Sequence, residues 1–248
     1  MSKIGSGYGS EFHLRSALSE RNSRFHEAVV SVISGTSGQS RCEIEWHPNY
    51  LKRDGLELRG MDFLPDAGGM AWKSYWPDPI AGRDPRRSGI HNWDAVGRLV
   101  GEGHSEWLLV EAKSHVREFK DSPACGAGQE SLQMIIEAFQ KTRLEMGLAG
   151  SASAPVPWSW LRKGGYQIAN RLASLNFLLN VAEPKMQARL LFVYYINDKF
   201  PGRHCPSSES EWQLLLKRKY AKMGMTEDHQ FRSRVHHLFY DCTSASGA

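Results

Sequence analysis

The sequence predicts an α/β fold, with helices packed on both faces of one mixed central sheet. Three observations predict it. The apolar run at 189–196 has the length and composition of a buried strand. The stretch 93–116 reads as two strands joined through Gly101-Glu102-Gly103, a hairpin signal. Amphipathic helical spacing recurs at 10–33, 129–146 and 166–179. With 248 residues the chain suits one large domain, able to bury a core without metal or disulfide staples.

The elements follow in order. Ser10 is an N-cap candidate and Gly35 a stop for a first helix over 10–33. At 100° per residue Leu14, Leu18, Phe25, Val29 and Val32 share one stripe, with Glu11 inside it and Glu27 nearly opposite. That placement assumes one unbroken helix and lapses if the chain breaks near Asn22. Residues 42–46 alternate as a strand, and 56–63 are a second short candidate. The Gly/Pro/Arg-rich stretch 65–91, with Trp72, Tyr75 and Trp76, reads as a long surface excursion.

After the hairpin, 117–128 is polar and glycine-containing. A helix over 129–146 follows, with Leu132, Ile135, Ile136 and Phe139 at helical spacing. Residues 151–157 are linker-like. The helix at 166–179 presents Ile168, Leu172, Leu175 and Leu179 on one face. The strand at 189–196, a helix near 210–223 and a strand near 235–241 complete the order.

Composition narrows the function classes. The 31 basic and 27 acidic residues give a charge of +4, too small to mark a nucleic-acid binder alone. No apolar stretch approaches the ~20 residues of a membrane span. The start, Met-Ser-Lys-Ile-Gly-Ser-Gly, lacks the apolar core of a signal peptide, so a cytoplasmic location without membrane contact is expected. Cys42, Cys125, Cys205 and Cys242 are too scattered for a zinc knuckle or redox motif and read as reduced thiols.

The chemistry concentrates in two neighbouring segments, Asn92-Trp93-Asp94-Ala95-Val96-Gly97 and Trp107-Leu108-Leu109-Val110-Glu111-Ala112-Lys113. A strand period of two sends Glu111 and Lys113 to the same face. The hairpin can bring Asp94 beside them. Two carboxylates and a backbone carbonyl suit a hard cation such as Mg²⁺, which favours oxygen ligands. Such an ion can polarise a phosphodiester and acidify a bound water. A lysine beside it can orient water and stabilise charge on phosphorus.

At these residues the sequence resembles the PD-(D/E)XK nuclease superfamily, whose core runs helix, three strands, helix, strand. Asp94 matches the first acidic position and Glu111-Ala112-Lys113 the E-x-K element. The literal Pro77-Asp78 pair is a rival for the first position, in a loop farther from Glu111. The resemblance covers about 10–115 and 160–196, leaving the insertion at 117–157 and the extension after 200 outside it. It implies a restriction-endonuclease-like αβββαβ core and a metal-dependent nuclease acting on DNA. Asp94, Glu111, the Ala112 carbonyl and Glu11 would be metal ligands, with Glu27 as fallback for Glu11. Lys113 would be catalytic, aided by Gln167 on a helix resembling the glutamine-bearing helix of exonuclease-type members. The cofactor would be Mg²⁺, with Mn²⁺ as substitute. A catalytically silent nucleic-acid-binding protein on the same fold is the alternative.

Other features have plainer readings. Gln167, Arg171 and Ser174 form a polar stripe that could face a phosphate or make structural pairs. Trp72, Tyr75 and Trp76 with Arg83, Arg86 and Arg87 could contact DNA or pack the loop onto the domain. Lys217, Arg218, Lys219 and Lys222 read as a solvated basic face. His104, His115, His236 and His237 read as structural. The helix at 129–146 could build a homodimer interface or a substrate clamp.

Overall fold

The computed structural model describes residues 7–19, 23–35, 42–51, 57–77, 91–101, 103–226 and 228–245. Five strands form one mixed sheet in the order β1-β2-β3-β4-β5. These are β1 (Glu43–Trp46), β2 (Ala95–Gly101), β3 (His104–Lys113), β4 (Ala188–Ile196) and β5 (Val235–Asp241). The first three make an antiparallel meander, and β4 and β5 add in parallel. Ala95 pairs with Val110 and Gly101 with His104, so the expected hairpin forms, with Gly103 at φ +75° in its turn. All nine residues of β4 are buried, as a strand flanked by parallel neighbours and covered on both faces requires.

Helices cover both faces of this α/β sheet. The 10–33 segment is two helices, α1 (Ser10–Ser19) and α2 (Ser23–Ser34). The break resets the helical phase. Leu14 and Leu18 remain buried on α1 and Phe25 and Val29 on α2, but Ile33 replaces Val32 as the last core residue. His13 of α1 packs on Tyr195 and Phe25 of α2 on Tyr240. The short α3 (Pro48–Leu51) follows β1.

The opposite face of β3 and β4 carries Glu111, Lys113, Phe192 and Tyr194. Over it lie α7 (Tyr166–Asn176), which continues as a π-helical turn to Val181, and α8 (Glu209–Met223). Trp212 of α8 packs on Tyr194 and donates its indole N–H to the Tyr195 carbonyl at 2.9 Å. Helix α6 (Gln129–Glu145) lies against α7, burying Ile135 and Phe139, while Leu132 and Ile136 are half-buried. Among the described residues no helix is long and apolar enough to cross a membrane.

Two expectations are corrected. The 56–63 strand does not form within its described residues, which contribute one bridge, Arg59 to Asn92. Tight turns take its place, Asp62 N–H to Arg59 C=O and Leu64 N–H to Met61 C=O, with Gly60 at φ +45°. The start of the 65–91 excursion is instead the helix α4 (Asp66–Tyr75). Its Trp72, Tyr75 and the following Trp76 are core residues, Trp72 stacked on Trp76 and the three rings packed edge-on or tilted against Phe177 and Phe139. Their bulk is buried apolar surface, so they are not a platform for bases. Arg83, Arg86, Arg87 and Asp78 lie outside the described residues.

A further helix, α5 (Val116–Lys120), occupies the end of the expected second strand and the start of the polar, glycine-containing stretch. His115 is its N-cap, its Nδ1 accepting the Glu118 N–H at 3.0 Å.

Candidate active site

The site grows out of the point where β2 and β3 diverge. Asp94 stands one residue before the last ladder pair, Ala95–Val110. Past that pair the Ala112 N–H has no strand acceptor on the β2 side. The Asp94 Oδ2 takes it at 2.6 Å. The carboxylate is thereby tied to the amide between Glu111 and Lys113. Its backbone is fixed from behind: Tyr50 donates to the Trp93 carbonyl at 3.0 Å, and the Trp93 indole donates to Gly60 at 2.7 Å.

Glu111 is 2% exposed and surrounded by donors. Its Oε1 accepts from the Lys113 ammonium and from Gln167 Nε2 at 2.7 Å. Its Oε2 accepts from Arg171 Nε at 2.7 Å and Nη2 at 2.5 Å. Burial works against the Glu111 charge, but the Arg171 and Lys113 cations outweigh it and hold the carboxyl below its usual range. Gln167 and Arg171 are one helical turn apart on α7, so the predicted polar stripe does face β3. Its third member, Ser174, turns instead to His91 at 3.1 Å. Arg171 also donates to the Asn92 carbonyl at 2.7 Å and lies 4.6 Å over the Trp93 ring.

Lys113 Nζ touches the Ala112 carbonyl at 3.1 Å and lies 3.9 Å from Glu118. Burial disfavours its charge, but Glu111, Glu118 and Asp94 more than offset this and raise its pKa, so it is a permanent ammonium. Asp94 behaves oppositely. Desolvation, then the neighbouring Glu111 charge, push its carboxyl well above the usual range. Beside these groups is a cavity of about 10 Å³ lined by Glu111, Lys113, Gln167, Phe119, Gly164 and Tyr194 among others. That is roughly the space of one water.

No family model, curated protein or solved structure matches the chain. The site therefore stands on its own geometry.

Asp94, Glu111, Ala112, Lys113 and Gln167 are brought together. Glu11 is in the first turn of α1, 3.3 Å from Arg15, and acts electrostatically on Glu57. Glu27 is elsewhere, lining a groove of about 500 Å³ with Glu43 and Ile44 of β1. Separating α1 from α2 removed the single-helix geometry that related the two glutamates. Among the described residues no group of three or more His, Cys, Asp or Glu is arranged to hold a metal ion.

Three further participants had no signal in the sequence. Glu57 accepts from Asn92 Nδ2 at 2.8 Å, and its carboxyl is raised by burial with help from the Glu11 and Glu111 charges. Glu118 accepts from Ser10 Oγ at 2.6 Å and the Ser114 N–H at 3.0 Å, clamping α1 and α5 to the end of β3. Asp198, beyond β4, accepts from the Gly9 N–H at 3.0 Å and contacts His13 at 2.9 Å. Glu57 and Asp198 are held by contacts between distant segments, whereas Glu118 reaches Lys113 at 3.9 Å from only five residues along the chain.

The remaining candidates have structural surroundings. His236 lies 3.4 Å from Arg189, which pairs with Glu106 at 2.6 Å at the far end of β3. His237 stacks on Phe192 and Tyr194.

Proposed function

We propose that this chain is a metal-dependent nuclease hydrolysing phosphodiester bonds of DNA. The observation that carries the reading is the Asp94 carboxylate bound to the amide between Glu111 and Lys113. Supporting it, the order α1, β1, β2, β3, α7, β4, with β4 parallel to β3, agrees with a restriction-endonuclease-like core.

The donor set fits a hard cation in kind. Asp94, Glu111 and the Ala112 carbonyl would hold Mg²⁺ or Mn²⁺, with Glu11 as a further ligand. Mutual repulsion between Asp94 and Glu111 marks a place where added positive charge is favourable. The Lys113 ammonium now touches two of those three donors, Glu111 and Ala112. A bound ion would supply Lewis acidity toward the phosphodiester and its attacking water.

The chain's own groups do the rest. Lys113 keeps its proton and offers N–H bonds to water and to oxygens gaining charge on phosphorus. Arg171 holds Glu111 in one rotamer from the side away from Lys113. Gln167 fixes the other carboxylate oxygen and so aims the pair.

The second reading, a catalytically silent DNA-binding protein, draws on one fact: both Glu111 oxygens already have cationic partners. Linear, circular and single-stranded DNA incubated with Mg²⁺ or Mn²⁺ separates the two. Metal-dependent cutting supports the nuclease. Binding indifferent to metal, with no cutting, supports the silent protein.

A further inference from the structure

Three separate segments meet beside the candidate site and bring an excess of positive charge. Gly164, at φ +73° before α7, is packed so tightly that a Cβ would lie 2.1 Å from Lys219 Nζ and 2.5 Å from the Lys120 carbonyl. The same glycine lines the small cavity shared by Glu111, Lys113 and Gln167. The Lys219 ammonium therefore stands beside two residues that line that cavity, next to Gly164 and 5.4 Å over the Phe119 ring. Burial, then repulsion from Lys222 and Lys120, lower its pKa, and Asp121 only partly opposes this. Lys120, Lys163 and Lys222 are exposed around it.

An exposed aromatic stands earlier on the turn that carries Gly164. Trp158 is 62% exposed, the most exposed large hydrophobic among the described residues. Its neighbour Trp160 is fully buried and donates to the Met223 carbonyl at 2.8 Å, which anchors the turn to the end of α8. The Arg162 guanidinium lies 5.2 Å over the Trp158 ring. An anchored turn that leaves one indole in solvent beside a guanidinium offers a flat surface to another flat group.

We infer that Trp158 and Arg162, with Lys120, Lys163, Lys219 and Lys222, form a binding track for an unpaired nucleic-acid strand leading to the Glu111–Lys113 site. The occupant rests on the nuclease reading. Lysines would neutralise successive phosphates, and the indole would stack on a base, which requires a base face not covered by a pairing neighbour. A purely electrostatic surface, such as one that docks an anionic membrane, has no use for the exposed indole at this rim.

The test uses the full chain in EDTA, so that cutting cannot interfere, with a fluorescent oligothymidylate of about 15 nucleotides, a hairpin duplex and phosphatidylserine vesicles as probes. The track predicts that the oligothymidylate binds more tightly than the duplex. Trp158→Ala and Lys222→Glu, both at exposed positions, should each weaken it about tenfold. Unchanged binding in both surface variants overturns the track, as does binding of vesicles but not of oligothymidylate. The nuclease reading fails separately. Strand binding at Trp158 without Mg²⁺-dependent cutting removes the nuclease and keeps the track. Cutting with indifferent surface variants does the reverse.

Discussion

Two nitrogens of Arg171, Nε and Nη2, converge on a single oxygen of Glu111, Oε2, at 2.7 and 2.5 Å. The contact is buried on both sides and joins α7 to the catalytic candidate on β3. Removing the guanidinium leaves Glu111 dependent on Lys113 and Gln167 alone. Arg171→Ala should destabilise the fold by about 3 kcal/mol in urea unfolding, because a buried carboxylate loses a principal counter-charge. Arg171→Lys should recover little of this, since an ammonium cannot reproduce the two-nitrogen contact and the Asn92 bond together.

Lys113→Ala separates catalysis from metal binding. Single-turnover cleavage should fall at least about 100-fold, the usual cost of losing a donor to developing charge. Mn²⁺ affinity, measured by calorimetry, should stay equal or rise, because the ammonium leaves two of the proposed donors. Weaker Mn²⁺ binding would argue that Lys113 organises the ligands instead of competing for them.

Asp94 makes a pH-dependent prediction. Its folded pKa lies above the ordinary value of 3.8, so the folded state holds the proton more tightly than the unfolded chain. Stability is therefore lost as pH rises from about 3.8 through the raised folded value, and the loss is constant above it. Asp94→Asn removes that loss and still accepts the Ala112 N–H. In EDTA the variant should be more stable than wild type at pH 8, with the gain vanishing toward pH 4. Equal Tm values at pH 8 would contradict the like-charge account of this site.

Trp76 tests the reassignment of the 65–77 aromatics. It is 1% exposed and stacked on Trp72. Trp76→Ala should cost about 3–5 kcal/mol by leaving a cavity. DNA affinity per folded molecule, measured well below the variant's Tm, should be unchanged.

What the sequence revealed, and what it hid, follows from the range of the forces involved. The strand period alone aligned Glu111 with Lys113, and hairpin spacing alone brought Asp94 to them. Helical spacing put Gln167 and Arg171 on one turn, although it could not say that their partner would be Glu111. The apolar run of β4 needed no context, because it is buried whichever way it faces. Trp72, Tyr75 and Trp76 pack onto the domain, one of the two roles open to them, but Gly68, Gly69 and flanking prolines masked the helix that carries the first two. Glu57, Glu118 and Asp198 were hidden for another reason. Glu57 and Asp198 are held by contacts across tens to over a hundred residues, which no local pattern encodes, and Glu118 lies near Lys113 only because the chain turns into α5 after β3.

The most direct test is cleavage by wild type and Glu111→Gln on linear, circular and single-stranded DNA with Mg²⁺ or Mn²⁺. Glutamine keeps the shape of Glu111 and its amide oxygen can still accept from Arg171, and circular dichroism verifies that the variant compared is folded. The nuclease reading predicts metal-dependent cutting by wild type and none by the variant. Equal cutting by both, or no cutting by wild type on any substrate with either metal, would contradict it.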